Sequence, residues 1–334
     1  MTNTAVDTPS AAAPTRPEDA PDQTALTNRP AKPHLGLIFA TALAPMAWGT
    51  TYIISSELLP ADRPLLAGLL RALPAGIGLA LITRTRPVGA WWLKAAVLGT
   101  LNIGGFFALL FYAAFQLPGG VAATLGAVQP LIAVGLAAVL LGEQVTRLTI
   151  AAGSLGVIGV ALLVVRADAQ LDSLGLLAGL AGAASMAVGV VLTKRWGRPV
   201  PLLAFTSWQL IAGGLVLLPL TMALEGLPTS LTASNLAGFL WLATFGTAIA
   251  YSLWFRGVQL LPVAQVSMLG LLSPLVAALA GWIVLDQTLS VGQLAGATLI
   301  LSAVWLGQSR QSDQQTTIQQ TTIQQDPKKE TEKS

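Results

Sequence analysis

The side chains able to bind or react sit singly inside long apolar runs. Arg71 lies about seven residues into its run, roughly 10 Å of helical rise, and is the one charge well inside any of them. A guanidinium there suits an anion such as a solute carboxylate; alternatively it reaches out to an interface or bonds carbonyl groups opened by Pro74. Near the middle of other runs stand Trp48, Tyr52, Asn102, Gln129, Trp208, Gln209, Tyr251, Trp254, Ser267 and Ser273. Trp48 with Tyr52, four apart, and Tyr251 with Trp254, three apart, share helix faces. Aromatic bodies with polar tips can line a cavity for an amphiphilic solute; each alone could equally serve packing or hydrogen bonding between helices. Pro130 and Pro274 each remove a backbone donor in mid-run, making either a pair of gating bends or two fixed kinks.

Other chemistry is missing. There is no cysteine, and the single histidine, His34, precedes the first apolar run. No apolar run pairs a serine with histidine or lysine, two aspartates, or a histidine cluster, so intramembrane hydrolysis, a metal centre and a cofactor are not expected and the chain does not read as an enzyme. Glu143 and Asp286 stand at helix ends just ahead of Thr146 and Ser290, natural caps for the next helices. Glu57 falls near a surface, so no carboxylate occupies mid-depth. Proton drive would need an unusual relay, and facilitated diffusion or exchange stays open. The net charge of +3 is scattered over short loops, which argues against nucleic acid.

The elements that must position these residues follow from composition. Of 334 residues, 54% are hydrophobic and 10% charged, with a mean hydropathy of +0.69; an ordinary soluble domain has about 25% charged residues. Apolar runs of the roughly 20 residues needed to cross a bilayer predict ten helices, over 35–58, 64–83, 92–115, 119–141, 147–165, 173–194, 200–222, 235–257, 262–285 and 290–308. The chain is therefore expected to be an all-α polytopic membrane protein that contacts lipid and a small solute. Residues 1–33 lack the apolar core of a signal peptide, and 310–334 repeat the unit Gln-Gln-Thr-Thr-Ile; both read as disordered cytoplasmic tails. With the N-terminus inside, inner loops hold eight cations (Arg84, Arg86, Lys94, Arg147, Lys194, Arg195, Arg198, Arg256) and outer loops two, Arg63 and Arg166. Arg29, Lys32 and Arg310 add to the inner side. Retention of positive loops thus puts both termini in the cytoplasm of a bacterial-type inner (plasma) membrane.

The halves resemble each other. Pro64-Leu65-Leu66-Ala67 recurs as Pro201-Leu202-Leu203-Ala204, displaced by 137, and Met46-Ala47 with Gly49 recurs as Met186-Ala187 with Gly189, displaced by 140. At 144, Pro118, Leu125-Gly126 and Pro130-Leu131 fall on Pro262, Leu269-Gly270 and Pro274-Leu275. The ordered matches divide the chain into five-helix repeats over 34–166 and 167–309. Five spans are odd in number, so the second copy must enter from the opposite side, an inverted repeat of the kind secondary transporters use for alternating access.

Pro45-Met46-Ala47-Trp48-Gly49, Arg71, Pro130 with Gly142-Glu143, and the run from Gly246 to Pro274 resemble the EamA-type ten-helix branch of the drug/metabolite transporter superfamily, across about residues 36–308. Arg71-Ala72-Leu73-Pro74-Ala75-Gly76 and Leu117-Pro118-Gly119-Gly120 are also similar to PecM-like pigment and metabolite exporters. The resemblance implies efflux of amino acids or related small metabolites. Asp286 departs from it, lacking the preceding glycine of the usual Gly-Glu. A channel and a non-transporting membrane protein are the rival readings, and saturable counterflow separates them.

Overall fold

A computed structural model describes residues 35–117, 119–164, 172–286 and 288–309. The two tails, Pro118, Arg166 and Gln287 lie outside the described residues, as does the side chain of Tyr52. Ten helices among those described are long and apolar enough to cross a membrane: span 1 (Leu35–Leu58), span 2 (Pro64–Thr83), span 3 (Trp91–Ala114), span 4 (Ala123–Leu141), span 5 (Arg147–Val164), span 6 (Ser173–Trp196), span 7 (Leu202–Leu224), span 8 (Ala233–Leu260), span 9 (Val263–Val284) and span 10 (Val291–Gln308). They match the ten apolar runs of the sequence. Their outward faces carry Leu81, Ile82, Val139, Val291 and Trp305, all exposed. Water would penalise such a surface, whereas lipid does not.

Small residues set the packing. Spans 2 and 7 cross where Gly76 meets Ile211 and Gly214 meets Leu73; a Cβ on Gly76 would come within 2.8 Å of the Ile211 amide nitrogen. Spans 5 and 10 cross at Gly159 and Gly296, each glycine facing the other's carbonyl oxygen, so that an added Cβ would lie 2.9 and 2.6 Å away. Span 3 packs on spans 6 and 7, and span 8 on spans 1 and 2; span 4 packs on span 6, and span 9 on span 1. Exchanging the first five spans for the second five carries this pattern onto itself. Thr146 and Ser290 do cap spans 5 and 10, accepting from the amides of Thr149 and Gln293 at 3.1 and 3.2 Å.

Five spans are irregular in their interiors: span 1 is interrupted at Thr50, between Leu35–Gly49 and Thr51–Leu58, and the other four fall in pairs. The helix of span 4 breaks between Gly126 and Gln129, and that of span 9 between Leu269 and Leu272. Pro130 and Pro274 cause both, because each ring crowds the carbonyl four residues back, on Gly126 and Gly270. The turns close on i−3 carbonyls instead: Leu131 bonds Val128 at 3.0 Å and Ser273 bonds Gly270 at 3.1 Å. Spans 3 and 8 each widen into a π-helical turn, at Thr100–Gly104 and Thr244–Ile249, places related by the same displacement of 144. Such turns re-aim side chains and release carbonyl groups.

Candidate functional site

The π-helical turn of span 8 organises the interior. Its Gly246 carbonyl accepts two hydrogen bonds, from Trp48 Nε1 of span 1 at 3.1 Å and from Arg71 Nη2 of span 2 at 2.6 Å. Arg71 also donates from Nε to Thr247 Oγ1 at 2.9 Å and from Nη1 to Thr51 Oγ1 at 3.4 Å. The Phe107 ring of span 3 lies beneath the guanidinium, 5.3 Å from Cζ. Arg71 is 4% exposed, so it turns inward rather than out to an interface.

All these oxygens are neutral. No carboxylate pairs with Arg71 among the described residues; the ion pair they show joins Lys194 to Glu143. Hydrogen bonds to a charged group contribute about 1.5–3 kcal/mol each, against a desolvation penalty of several kcal/mol for an ion removed from water. Of the five N–H donors of a guanidinium, three are engaged, which leaves one on Nη1 and one on Nη2. This fork is the shape that takes a carboxylate by two parallel bonds.

Beside it the rings cluster. Trp48 lies 5.0 Å from Tyr251 and 5.2 Å from Trp254, centre to centre. Trp254 Nε1 is buried without a partner among the described residues. Tyr251 leads to a second polar group, donating its hydroxyl to the Asn102 carbonyl at 3.4 Å. Asn102 stands in the π-helical turn of span 3 and donates to Thr193 Oγ1 of span 6 at 3.1 Å and to Gln209 Oε1 of span 7 at 2.9 Å. Its Oδ1 presses on Gly189, where only glycine leaves room. Asn102 Oδ1 and Gln209 Nε2 have no hydrogen-bond partner among the described residues.

Six of the ten candidate binding residues are thus joined in one interior network: Trp48, Arg71, Asn102, Gln209, Tyr251 and Trp254. Gln129 and Ser267 are buried at the two proline breaks, with Gln129 Nε2 and Ser267 Oγ unpartnered among the described residues. Gln129 opens the second segment of span 4, and the Ser267 carbonyl accepts from Gly270 in the turn of span 9. Trp208 sits apart: its Nε1 donates to the Thr85 carbonyl in the loop after span 2, at 2.9 Å, and its ring faces Trp91 at 6.3 Å. Thr51 and Thr193 were missed in the sequence, and Gly246 and Thr247 entered only within the run that carries the family resemblance. Helical threonines usually bond their own preceding turn, and nothing in the local sequence announces a carbonyl released by a π-helical turn.

Ten apolar helices among the described residues, around a buried, hydrogen-bonded interior, define a polytopic helical membrane protein. The chain belongs to the EamA-like transporter family, which matches it twice, over residues 34–165 and 173–307, and it is a membrane transporter. It is similar to Protein PecM of Dickeya dadantii, 49% identical over 79% of this chain and 90% of that one. It is also similar to a probable amino-acid metabolite efflux pump of Salmonella typhimurium, 26% identical over 80% of this chain and 93% of that one. A solved crystal structure covering 81% of this chain and 97% of its own superposes with a TM-score of 0.70 at 21% identity, a likeness of fold.

Proposed function

We propose that this transporter exports a small amphiphilic metabolite bearing a carboxylate, an amino acid or a close relative, by alternating access across a bacterial inner membrane. The observation that carries this reading is the inward-turned Arg71, held by neutral oxygens with two N–H groups unspent beside the rings of Trp48, Tyr251 and Trp254. A carboxylate would seat on the fork and an apolar body against the rings. The efflux pump among its relatives supports the direction. The exchangeable packing of the two halves supports inverted repeats over 34–166 and 167–309, and the loop cations support two cytoplasmic termini. Among the described residues no carboxylate stands near the middle of a span, so the reading includes exchange or facilitated diffusion rather than proton drive.

The test is counterflow in proteoliposomes loaded with amino acids and their amide derivatives. Saturable exchange of the carboxylates, with Arg71→Gln slowing it at least about tenfold, the worth of one lost charge-assisted contact, is expected. Unsaturable flux would favour a channel, and equal exchange of acids and amides would remove Arg71 from the site.

A further inference from the structure

The proline breaks divide spans 4 and 9 into segments, Gly119–Gly126 with Gln129–Leu141 and Val263–Leu269 with Leu272–Val284. In the topology proposed above, Gln129–Leu141 and Val263–Leu269 are the cytoplasmic segments. These two pack against each other, while the outer segments lie against span 6 and span 1. One carboxylate ties several helix ends together on that side. Glu143, two residues past span 4, accepts the first amide of span 9, Val263 N, at 2.9 Å on Oε2. Its Oε1 pairs with Lys194 Nζ, at the end of span 6, at 2.9 Å. Lys194 Nζ also donates to the Leu261 carbonyl just ahead of span 9, at 2.5 Å, and Gln259 Nε2 ties span 8 to the Thr193 carbonyl at 2.6 Å. The pair is largely shielded, its side chains 23% and 21% exposed.

The halves do not share this device. A displacement of 143, one less than in the body of spans 4 and 9, carries Glu143-Gln144 onto Asp286-Gln287, while those of 140 and 144 carry Lys194 onto Ile54 and Val263 onto Gly119. An isoleucine cannot donate, and Asp286 is exposed with φ 51°. The charged contact at the other end works differently: Glu225, just past span 7, accepts the first free amides of span 2, Leu65 and Leu66, at 2.7 and 2.8 Å, while Arg63 returns to the carbonyls of Glu225 and Gly226. That clamp joins spans 2 and 7, which cross on close glycine contacts and run as unbroken helices through Pro74 and Pro219. It suits a fixed axis. The Glu143 contact instead spans the ends of two broken helices.

We propose that Glu143 and Lys194 form the latch of the cytoplasmic gate, holding the structure closed inside, and that it must part before solute can enter from the cytoplasm. It rests on the topology proposed above and not on the identity of the solute. Without native cysteine, a single reporter reads it cleanly. Ala137→Cys, buried in the cytoplasmic segment of span 4, is labelled with a membrane-impermeant maleimide in inside-out vesicles; Ala123→Cys reports the outer segment in right-side-out vesicles. Glu143→Gln should speed labelling at Ala137→Cys about fivefold, as expected of a shielded ion pair biasing two states, and slow it at Ala123→Cys. Lys194→Met, which keeps the Glu143–Val263 bond, should act in the same direction and serves if Glu143→Gln does not reach the membrane. Unchanged labelling at both reporters, faster labelling at both together as in general loosening, or faster labelling of Ala137→Cys from the outer face would each overturn the latch. Labelling reads conformation rather than flux, so a failed transport assay leaves this result standing.

Discussion

At the scale of single residues, the interior turns on how one cation is satisfied. Arg71 has three donors on neutral oxygens of two other helices, and this planar fork is not something lysine can imitate. Arg71→Lys should therefore keep the charge but lose binding: solute affinity falls about tenfold or more in equilibrium binding to purified protein, while Arg71→Lys still reaches the membrane. Trp48 adds a ring and a donor that can be separated. Trp48→Phe keeps the ring near Tyr251 and Trp254 but leaves the Gly246 carbonyl to Arg71 alone, and should cost about 1 kcal/mol of stability in thermal unfolding. Trp208, bonded to the loop carbonyl of Thr85, should when changed to phenylalanine leave solute affinity unaltered and affect stability only.

At the scale of elements, the paired irregularities matter more than helix length. Spans 4 and 9 break at prolines, and spans 3 and 8 widen into π-helical turns. Pro130→Ala returns a backbone donor and lets the two segments of span 4 join; it should raise the melting temperature and slow exchange several-fold, measured by counterflow. Spans 5 and 10 make the opposite case. Gly159→Leu would drive a side chain into the Gly296 carbonyl and the Ile300 amide, costing at least about 1–3 kcal/mol as overpacking does, and should lower thermal stability while solute affinity in the surviving protein holds. The Glu225 clamp belongs here too. Glu225→Gln gives up a charge at the N-terminus of span 2 and one of two amide bonds, for a loss of about 1–2 kcal/mol in stability.

At the scale of the whole molecule, the packing pattern is unchanged when its halves are exchanged, but its charges are not. The chain carries one network at Glu143 and Lys194 and a different one at Arg63 and Glu225. An alternating mechanism with such ends has two closed states of unequal stability, so neutralising charges that part during the cycle should bias the resting conformation, and neutralising charges that stay together should not. If the Glu225 clamp is a fixed axis, Glu225→Gln should leave the labelling ratio of Ala137→Cys to Ala123→Cys unchanged, whereas Glu143→Gln shifts it.

What the sequence determined by itself was whatever depends on local composition. Ten spans follow from apolar length because the bilayer leaves backbone groups no partner but their own helix, and bends in spans 4 and 9 are legible in Pro130 and Pro274, although helices continue through Pro45, Pro74 and Pro219. Arg71, Asn102 and Gln209 stood out because polar groups in apolar runs are costly. The tertiary structure decided where those groups point. Nothing near Arg71 in the chain marks Gly246 or Thr247, some 175 residues away, as its acceptors, and nothing near Trp208 separates it from the rings it was grouped with. Glu143 beside Thr146 reads locally as part of a turn. Only the approach of spans 6 and 9 makes it an ion pair and the cap of another helix, because partners in a folded chain are chosen by distance in space.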